Sequence, residues 1–484
     1  LPGVIVAPVS ILFLIIFLEG YVVLSTELLA IRLMIPFAGS GADIVSVVIA
    51  AVLLPLALGY YRGGHVRQRH IYGERSRSIR KRLISNLIVS SAILTFGLSY
   101  VFLDGSMDIL RNFVGMHNRV LLTVLYALLF LITPVYLLGQ TIPLISHYFP
   151  RSQLPVAAGK ILFFSTLGSF AGALFSTLVL MPFFGVHIAV IVTIGCLMAL
   201  TIILQRRKVS FVSLGAVAIF LLALWLNSPQ SMSNAGILSN NQYNTLQVVD
   251  YDLNNMRVMM VNKSYASVVY QDRRDTNVIY NAMIEKNFIG TAAIQERPLS
   301  ILVLGAGGFA IGRKDQVNHY TFVDLDKNLK QVAEEYFLKE KLGENKTFVP
   351  MEARAFLLQS RDKYDLIVID LFRDYVTMPD DIMVHEFFRA VKDHLKEDGV
   401  MAANFVVSPF LQDEYSKNVD ATIRSVFPYL NREVTGSYNP WNKGQMTINV
   451  LYSAQNGPGH RAVVYTDNKN PAIYDRASTT RDAR

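Results

Sequence analysis

Long apolar runs follow one another through the first 226 residues and stop near Asn227, and that seam decides what this chain can fold into. A run of about 20 apolar residues matches the hydrocarbon thickness of a bilayer. Such runs lie near Val9–Ile31, Ile44–Tyr61, Leu83–Leu103, Val120–Leu138, Ile161–Pro182, Val186–Leu204 and Val209–Leu226. Residues 1–226 therefore read as a membrane domain of about seven transmembrane helices, with the lipid bilayer as its first partner. The first run is too long for a signal-peptide core and has no basic flank before it, so it is read as a span. The stretch from Thr133 to Tyr148 holds Pro134, Gly139 and Pro143. Proline interrupts the helical ladder, which suggests a broken or re-entrant segment there.

Charge divides at the same seam. Up to Leu226 there are 16 Lys/Arg against 6 Asp/Glu, and the remainder holds 29 against 31. A nucleic-acid binder would carry its basic surplus on a folded, solvent-facing domain, so that class is excluded. The surplus sits in loops instead: Arg62 to Arg82 after the second run, and Arg206, Arg207 and Lys208 after the sixth. Basic loops stay on the cytoplasmic side. An anionic-lipid contact is the alternative use of the first cluster. The expected location is a bacterial-type inner (plasma) membrane, multi-pass. Seven spans put the soluble half of the chain outside, in the periplasm, and an even count keeps it cytoplasmic. The single cysteine, Cys196, excludes an intramolecular disulfide and a cysteine metal cluster, and no metal is expected.

Within the apolar half, Glu19 and Glu27 lie eight residues apart on one face of the first run. Carboxylates there point either to structural pairing, with Arg32 as the partner of Glu27, or to a cation pathway. Gly168 and Gly172 form a small-x-x-x-small pattern that close helix packing explains.

After a Ser/Asn-rich linker, 227–241, the pattern becomes that of a small β region, 242–272, and an α/β domain, 273–453, ahead of a polar tail, 454–484. Thr245–Tyr251, Met256–Val261 and Ala266–Tyr270 are short alternating runs separated by turn residues, as in an antiparallel meander. Ser300–Gly305, Tyr320–Asp324, Asp365–Leu371 and Val400–Val406 then read as buried strands. Helical stretches near Lys327–Leu338 and Met383–Leu395 lie among them. That alternation predicts a parallel sheet covered on both faces. The fold class is thus a multi-span α-helical membrane domain plus a Rossmann-like (methyltransferase-type) α/β domain preceded by a small antiparallel β region.

The string Ile301-Leu-Val-Leu-Gly305-Ala-Gly307-Gly308 is followed by Asp324 and Asp326. Glycines ending a first strand let a backbone approach a ligand, and an acid ending the second strand can accept hydrogen bonds from ribose hydroxyls. Gly305 to Asp324 is 19 residues, in line with the spacing of about 20 in a nucleoside-binding βαβ unit. The alternative is a fold whose glycines only turn the chain. Asp370 ends a later strand at the carboxyl edge, where it serves as general base, holds a cationic substrate, or caps the next turn.

These residues resemble the spermidine synthase (polyamine aminopropyltransferase) family over roughly Gln242–Pro428. The stretches Glu27-Leu-Leu-Ala-Ile-Arg32, Gly139-Gln-Thr-Ile-Pro143-Leu and Thr166-Leu-Gly168-Ser-Phe-Ala-Gly172 are similar to its membrane-integrated members. The resemblance implies a small β domain before a methyltransferase-like Rossmann domain. It implies transfer of an aminopropyl group from decarboxylated S-adenosylmethionine to an amine. Gly305, Gly307 and Asp324, with Asp326 beside it, match the family's cosubstrate site, and Glu352-Ala353 matches its acidic-Ala pair near adenine. Asp370 takes the place of the catalytic acid, and Tyr280 and Asp374 fall on the amine side.

The amine side also departs from the pattern. The family's Y-H-E reads Tyr280-Asn281-Ala282, the acid inside its glycine loop reads Gly308, and its D-S-S-D-P reads Asp370-Leu-Phe-Arg373-Asp374. The loop after the first strand is about one helical turn shorter than the family's. Fewer carboxylates weaken recognition of a polycation. Two further readings stay open. One is a transferase using S-adenosylmethionine itself on another acceptor. The other is a non-catalytic relative acting as a binding or assembly module with a protein partner in a membrane complex.

Overall fold

The computed structural model describes residues 9–65, 72–116, 118–149, 154–205, 210–252, 255–270, 279–290, 297–371, 382–428, 430–435 and 448–453. The expected tail 454–484, Arg373 and Asp374 lie outside them. The chain divides into two compact units, Leu1–Gln242 and Tyr243–Arg484.

The first unit is helical: α1 (Val9–Ala38), α2 (Ala42–Gly64), α3 (Tyr72–Gly97), α4 (Tyr100–Asn112), α5 (Arg119–Phe130), α6 (Ile132–Gly139) and α7 (Thr141–Ser146). Then come α8 (Leu154–Leu174), a π-helical turn Phe175–Leu180, α9 (Met181–Phe184), α10 (Val186–Ile203) and α11 (Phe211–Leu226). A short helix α12 (Pro229–Asn234) and strand β1 (Ile237–Asn240) occupy the expected linker. Every apolar run is helical, but not every run is one straight span. α3 and α4 meet at 67°, and α5 meets the α6–α7 stretch at 45°. Ser99 is extended at the first break, and Pro134 brings no amide to the ladder just after the second. Among the described residues four helices are long and apolar enough to cross a membrane, or up to six if each bent pair is one span. The seventh, α11, has 16 residues. At 1.5 Å per residue it reaches about 24 Å, short of the roughly 30 Å of hydrocarbon.

Small residues bring these helices together. A Cβ on Gly168 or Gly172 would strike the carbonyl oxygen of Phe17 or Tyr21, so α1 and α8 touch through their backbones. Gly59 on α2 lies as close to the Tyr136 carbonyl of α6. Ser25 bonds Ser176 at 2.8 Å and Thr193 at 2.9 Å, which satisfies three buried hydroxyls beside the π-helical turn. Arg32, the expected partner of Glu27, is buried and donates to the Asn241 carbonyl at 2.7 Å and to Asn240 Oδ1 at 3.2 Å. The planar guanidinium fork suits two oxygens at once.

The second unit begins with a meander, β2 (Thr245–Tyr251), β3 (Met256–Val261) and β4 (Ser264–Tyr270), paired antiparallel in sequence order. Helix α13 (Ile279–Ile284) leads into a seven-stranded sheet built from β5 (Ser300–Leu304), β6 (His319–Asp324), β7 (Lys346–Pro350), β8 (Tyr364–Ile369), β9 (Leu395–Val407), β10 (Asn431–Val434) and β11 (Ile448–Ser453). The spatial order is β10-β11-β9-β8-β5-β6-β7. β5 to β9 run parallel, and β11 is antiparallel to both its neighbours. That order defines a Rossmann-like sheet of the methyltransferase type. Its direction of winding reverses between β5 and β8, so their carboxyl ends flank the switch-point crevice. After β6 comes α14 (Leu329–Val332), and helices α15 (Ala353–Gln359), α16 (His385–Asp393) and α17 (Glu414–Arg424) share a core with the sheet. Phe387, Phe388 and Val391 of α16 and Val419 and Ile423 of α17 are fully buried in one core with Phe405 and Ile369.

One element of the expected βαβ unit is absent. Residues 305–318 pass from β5 to β6 in turns, with no helix after the glycines. Phe309 and Gly312 both adopt left-handed backbone, with φ of 57° and 62°, which a continuing helix does not tolerate.

Candidate active site

Four strand ends converge at the carboxyl edge: Gly305 after β5, Asp324 ending β6, Asp370 after β8 and Asn404 near the end of β9. Gly305 has φ of 92°, and an added Cβ would collide with the Asp370 carbonyl oxygen. Only glycine fits both constraints, and the two strand ends are thereby held in contact. Gly307 and Gly308 both lie against Ser267 of β4. The Gly308 amide donates to Ser267 Oγ of β4 at 2.8 Å, and a Cβ there would run into the Phe337 ring. The position where the resemblance expects an acid is therefore already filled.

Asp324 is half-buried, and burial pushes its carboxyl up to about 6 despite hydrogen bonds that favour the anion. Its Oδ2 accepts from the Ala306 amide and its Oδ1 from the Asp326 amide, each at 3.1 Å. Each oxygen keeps acceptor capacity for a ligand hydroxyl. Asp326 is fully buried and accepts from the Asn328 amide at 3.0 Å, which shapes the turn behind Asp324. Glu352 is the N-cap of α15: Oε1 takes the Arg354 amide at 2.8 Å and Oε2 the Ala355 amide at 2.6 Å. Ala353 is buried beside it.

Asp370 is gripped from both sides. The Tyr280 hydroxyl of α13 donates to Oδ2, and Asn404 Nδ2 donates to Oδ1 at 3.0 Å. Burial holds the Asp370 carboxyl above its ordinary value, while these two donors pull it back. Burial first, then the Asp370 charge, holds the Tyr280 phenol protonated well above its usual range. The pair is thus fixed as a phenol donor and a carboxylate acceptor. Asn281 is buried, and its Oδ1 has no hydrogen-bond partner among the described residues, whereas Ala282 is exposed. Asn404 was not singled out from the sequence. An asparagine that directly follows Ala402-Ala403 inside a strand carries no local signal for it.

The arrangement is that of a Rossmann-like fold with an acid at the end of its second strand and a second half-buried acid at its switch point. Residues 279–456 match the model of the spermine/spermidine synthase domain, a transferase domain. The chain is 30% identical over 196 residues to a probable polyamine aminopropyl transferase of Bifidobacterium longum, covering 38% of this chain and 40% of that protein. It is 30% identical over 146 residues to a polyamine aminopropyltransferase of Lachnoclostridium phytofermentans, covering 28% of this chain and 50% of the relative. The chain therefore spans half or less of the length of these curated relatives. A probable spermidine synthase from Corynebacterium glutamicum aligns at 18% identity over 50% of this chain and 84% of its own, with a TM-score of 0.38.

Proposed function

We propose that this chain is a membrane-anchored transferase of the spermidine synthase type, moving an aminopropyl group from decarboxylated S-adenosylmethionine to an amine. The observation that carries this reading is the half-buried Asp370 at the switch point, held by Tyr280 and Asn404, with the Asp324 strand end on the other side of β5. Asp324 would take the ribose hydroxyls, with Gly305 and Gly307 bringing the backbone close and Glu352-Ala353 bounding the adenine. The amine nitrogen forms a C–N bond to the methylene carbon next to sulfur. The C–S pair returns to sulfur, leaving neutral methylthioadenosine. The proton lost by nitrogen passes to the Asp370 carboxylate, whose proton affinity burial raises. Calorimetry with the cosubstrate and with methylthioadenosine, using Asp324→Ala as control, tests the nucleoside half. Loss of transfer in Asp370→Asn tests the chemistry.

A specific observation favours a second reading. The loop after β5 lacks a helix, and Gly308 is closed off by Phe337. A non-catalytic relative would keep such a packed loop and bind no adenosyl ligand at millimolar concentration.

The same proposal puts the second unit in the cytoplasm. If each bent pair is one span, six spans return the chain to the side of the Arg62–Arg82 loop, and Arg206–Lys208 follow on that side. The short α11 then lies at the membrane without crossing it. A cytosolic adenosyl cosubstrate would reach the site directly.

A further inference from the structure

Glu19 lies on α1, whose apolar span begins at Ser10. Nine residues at 1.5 Å each put it about 14 Å along, near the middle of roughly 30 Å of hydrocarbon. It is 1% exposed, and neither carboxyl oxygen has a hydrogen-bond partner among the described residues. Thr26, two turns on along the same face, is fully buried, and its hydroxyl has no partner among them either. Thr177, Thr193 and Thr201 of the same unit instead return their hydroxyls to the carbonyl four residues back.

The cations nearby are engaged elsewhere. Arg32 of α1 donates to Asn240 and Asn241. On the helices packed against α1, Arg119 of α5 pairs with Asp43 of α2, Arg62 lies in the last turn of α2, and Lys160 of α8 is exposed. His187 stands in the first turn of α10, against Gly185. Tyr60 of α2 is close enough to feel the Glu19 charge, and a phenol brings none of the opposite sign. A carboxylate alone in hydrocarbon is too costly to stay charged. A metal ion would need several oxygen ligands at once, and no group of three or more His, Cys, Asp or Glu stands together among the described residues. A proton needs only the carboxyl itself.

We infer that Glu19 is a proton-binding site in the interior of the helical unit, and that the acid so formed is a modification site for hydrophobic carbodiimides. The acid proton passes to one carbodiimide nitrogen while the carboxyl oxygen bonds the central carbon, giving an O-acylisourea. Migration of the acyl group from oxygen to the second nitrogen leaves a stable N-acylurea, with nothing released. The inference rests on the membrane-anchored part of the proposed function and is independent of the transfer chemistry.

The test starts from membranes that carry the full chain, washed in alkaline carbonate. Release of the chain into the wash ends the membrane reading, and this inference with it. Retained chain is treated at neutral pH with dicyclohexylcarbodiimide or with a water-soluble, cationic carbodiimide, and the peptide holding Glu19 is read by mass spectrometry. The hydrophobic reagent should modify Glu19 about tenfold or more above the cationic one, because a charge is poorly admitted to the bilayer interior. Glu414, with a side chain 68% exposed, should show no such preference. An unlabelled Glu19 in retained chain, or equal labelling by the two reagents, overturns the proton site alone. Protection by sodium chloride that choline chloride does not match overturns it in favour of a metal cation.

Discussion

Tyr280 and Asp370 stand 90 residues apart in the chain and share one hydrogen bond, phenol to carboxylate, in the interior of the second unit. The bond ties the helix that precedes the sheet to the strand end that carries the proposed base. It also gives Asp370 one of the two donors that hold its proton affinity down.

Tyr280→Phe therefore moves Asp370 further above its ordinary value. Activity that needs the carboxylate is lost on the acid side, and in the variant that limb of the pH–rate profile shifts to higher pH. At neutral pH we expect transfer to fall about tenfold or more, as for a lost bond to a charged group. A variant whose acid limb stays in place removes Tyr280 from this role.

Asp324 makes stability depend on pH. Its folded-state value of about 6 lies above the ordinary 3.8, so the native state holds this proton more tightly than the unfolded state. The contribution is present in full below about pH 4, declines as pH rises to about 6, and stays lost above that. A difference of that size corresponds to a loss of about 3 kcal/mol at most. Urea titrations across that window should slope downward with pH in the wild type and flatten in Asp324→Asn. An adenosyl ligand that bonds the anion should bind more tightly as pH rises through the same window.

Gly308→Asp restores the acid that the family resemblance expects, yet it should not restore diamine binding. The new Cβ meets the Phe337 ring and the Ser267 Cβ, the latter at 2.8 Å. Overpacking of this kind costs about 1–3 kcal/mol. A Gly308→Asp protein as stable as the wild type, with tighter polyamine binding, would show that the loop opens.

Membrane topology has its own measurement. Ser233 in α12 is exposed. In a Cys196→Ser background, Ser233→Cys should resist an impermeant thiol reagent in intact cells and react once the cells are permeabilised. Labelling from outside restores the seven-span count and removes the cytosolic cosubstrate from reach.

The parts of the fold that were legible in the sequence are those with a strong local period. β5, β6 and β8 are apolar runs ended by Gly or Asp, and the meander alternates between turn residues. The edge strand β7, Lys-Thr-Phe-Val-Pro, is short and polar enough to pass as loop. β11 owes its state to pairing with β9, and β10 to pairing with β11, neither of which any window of sequence contains. The same holds at the site. Gly305, Asp324 and Asp370 declare themselves by position at strand ends, whereas Asn404 and the Tyr280–Asp370 bond exist only once distant segments meet. The helix expected after the glycines failed because left-handed Phe309 and Gly312 divert the chain.

The meander of β2 to β4 reaches into the larger sheet's business. Ser267 of β4 holds the Gly308 amide, and Arg257 of β3 donates to the Phe337 carbonyl at 3.3 Å. The piece that packs together is therefore longer than residues 279–456, which match the family model. A graft of the second unit onto another protein has to carry the chain from Thr245 onward, because a cut at Ile279 would leave the glycine loop without the wall it leans on.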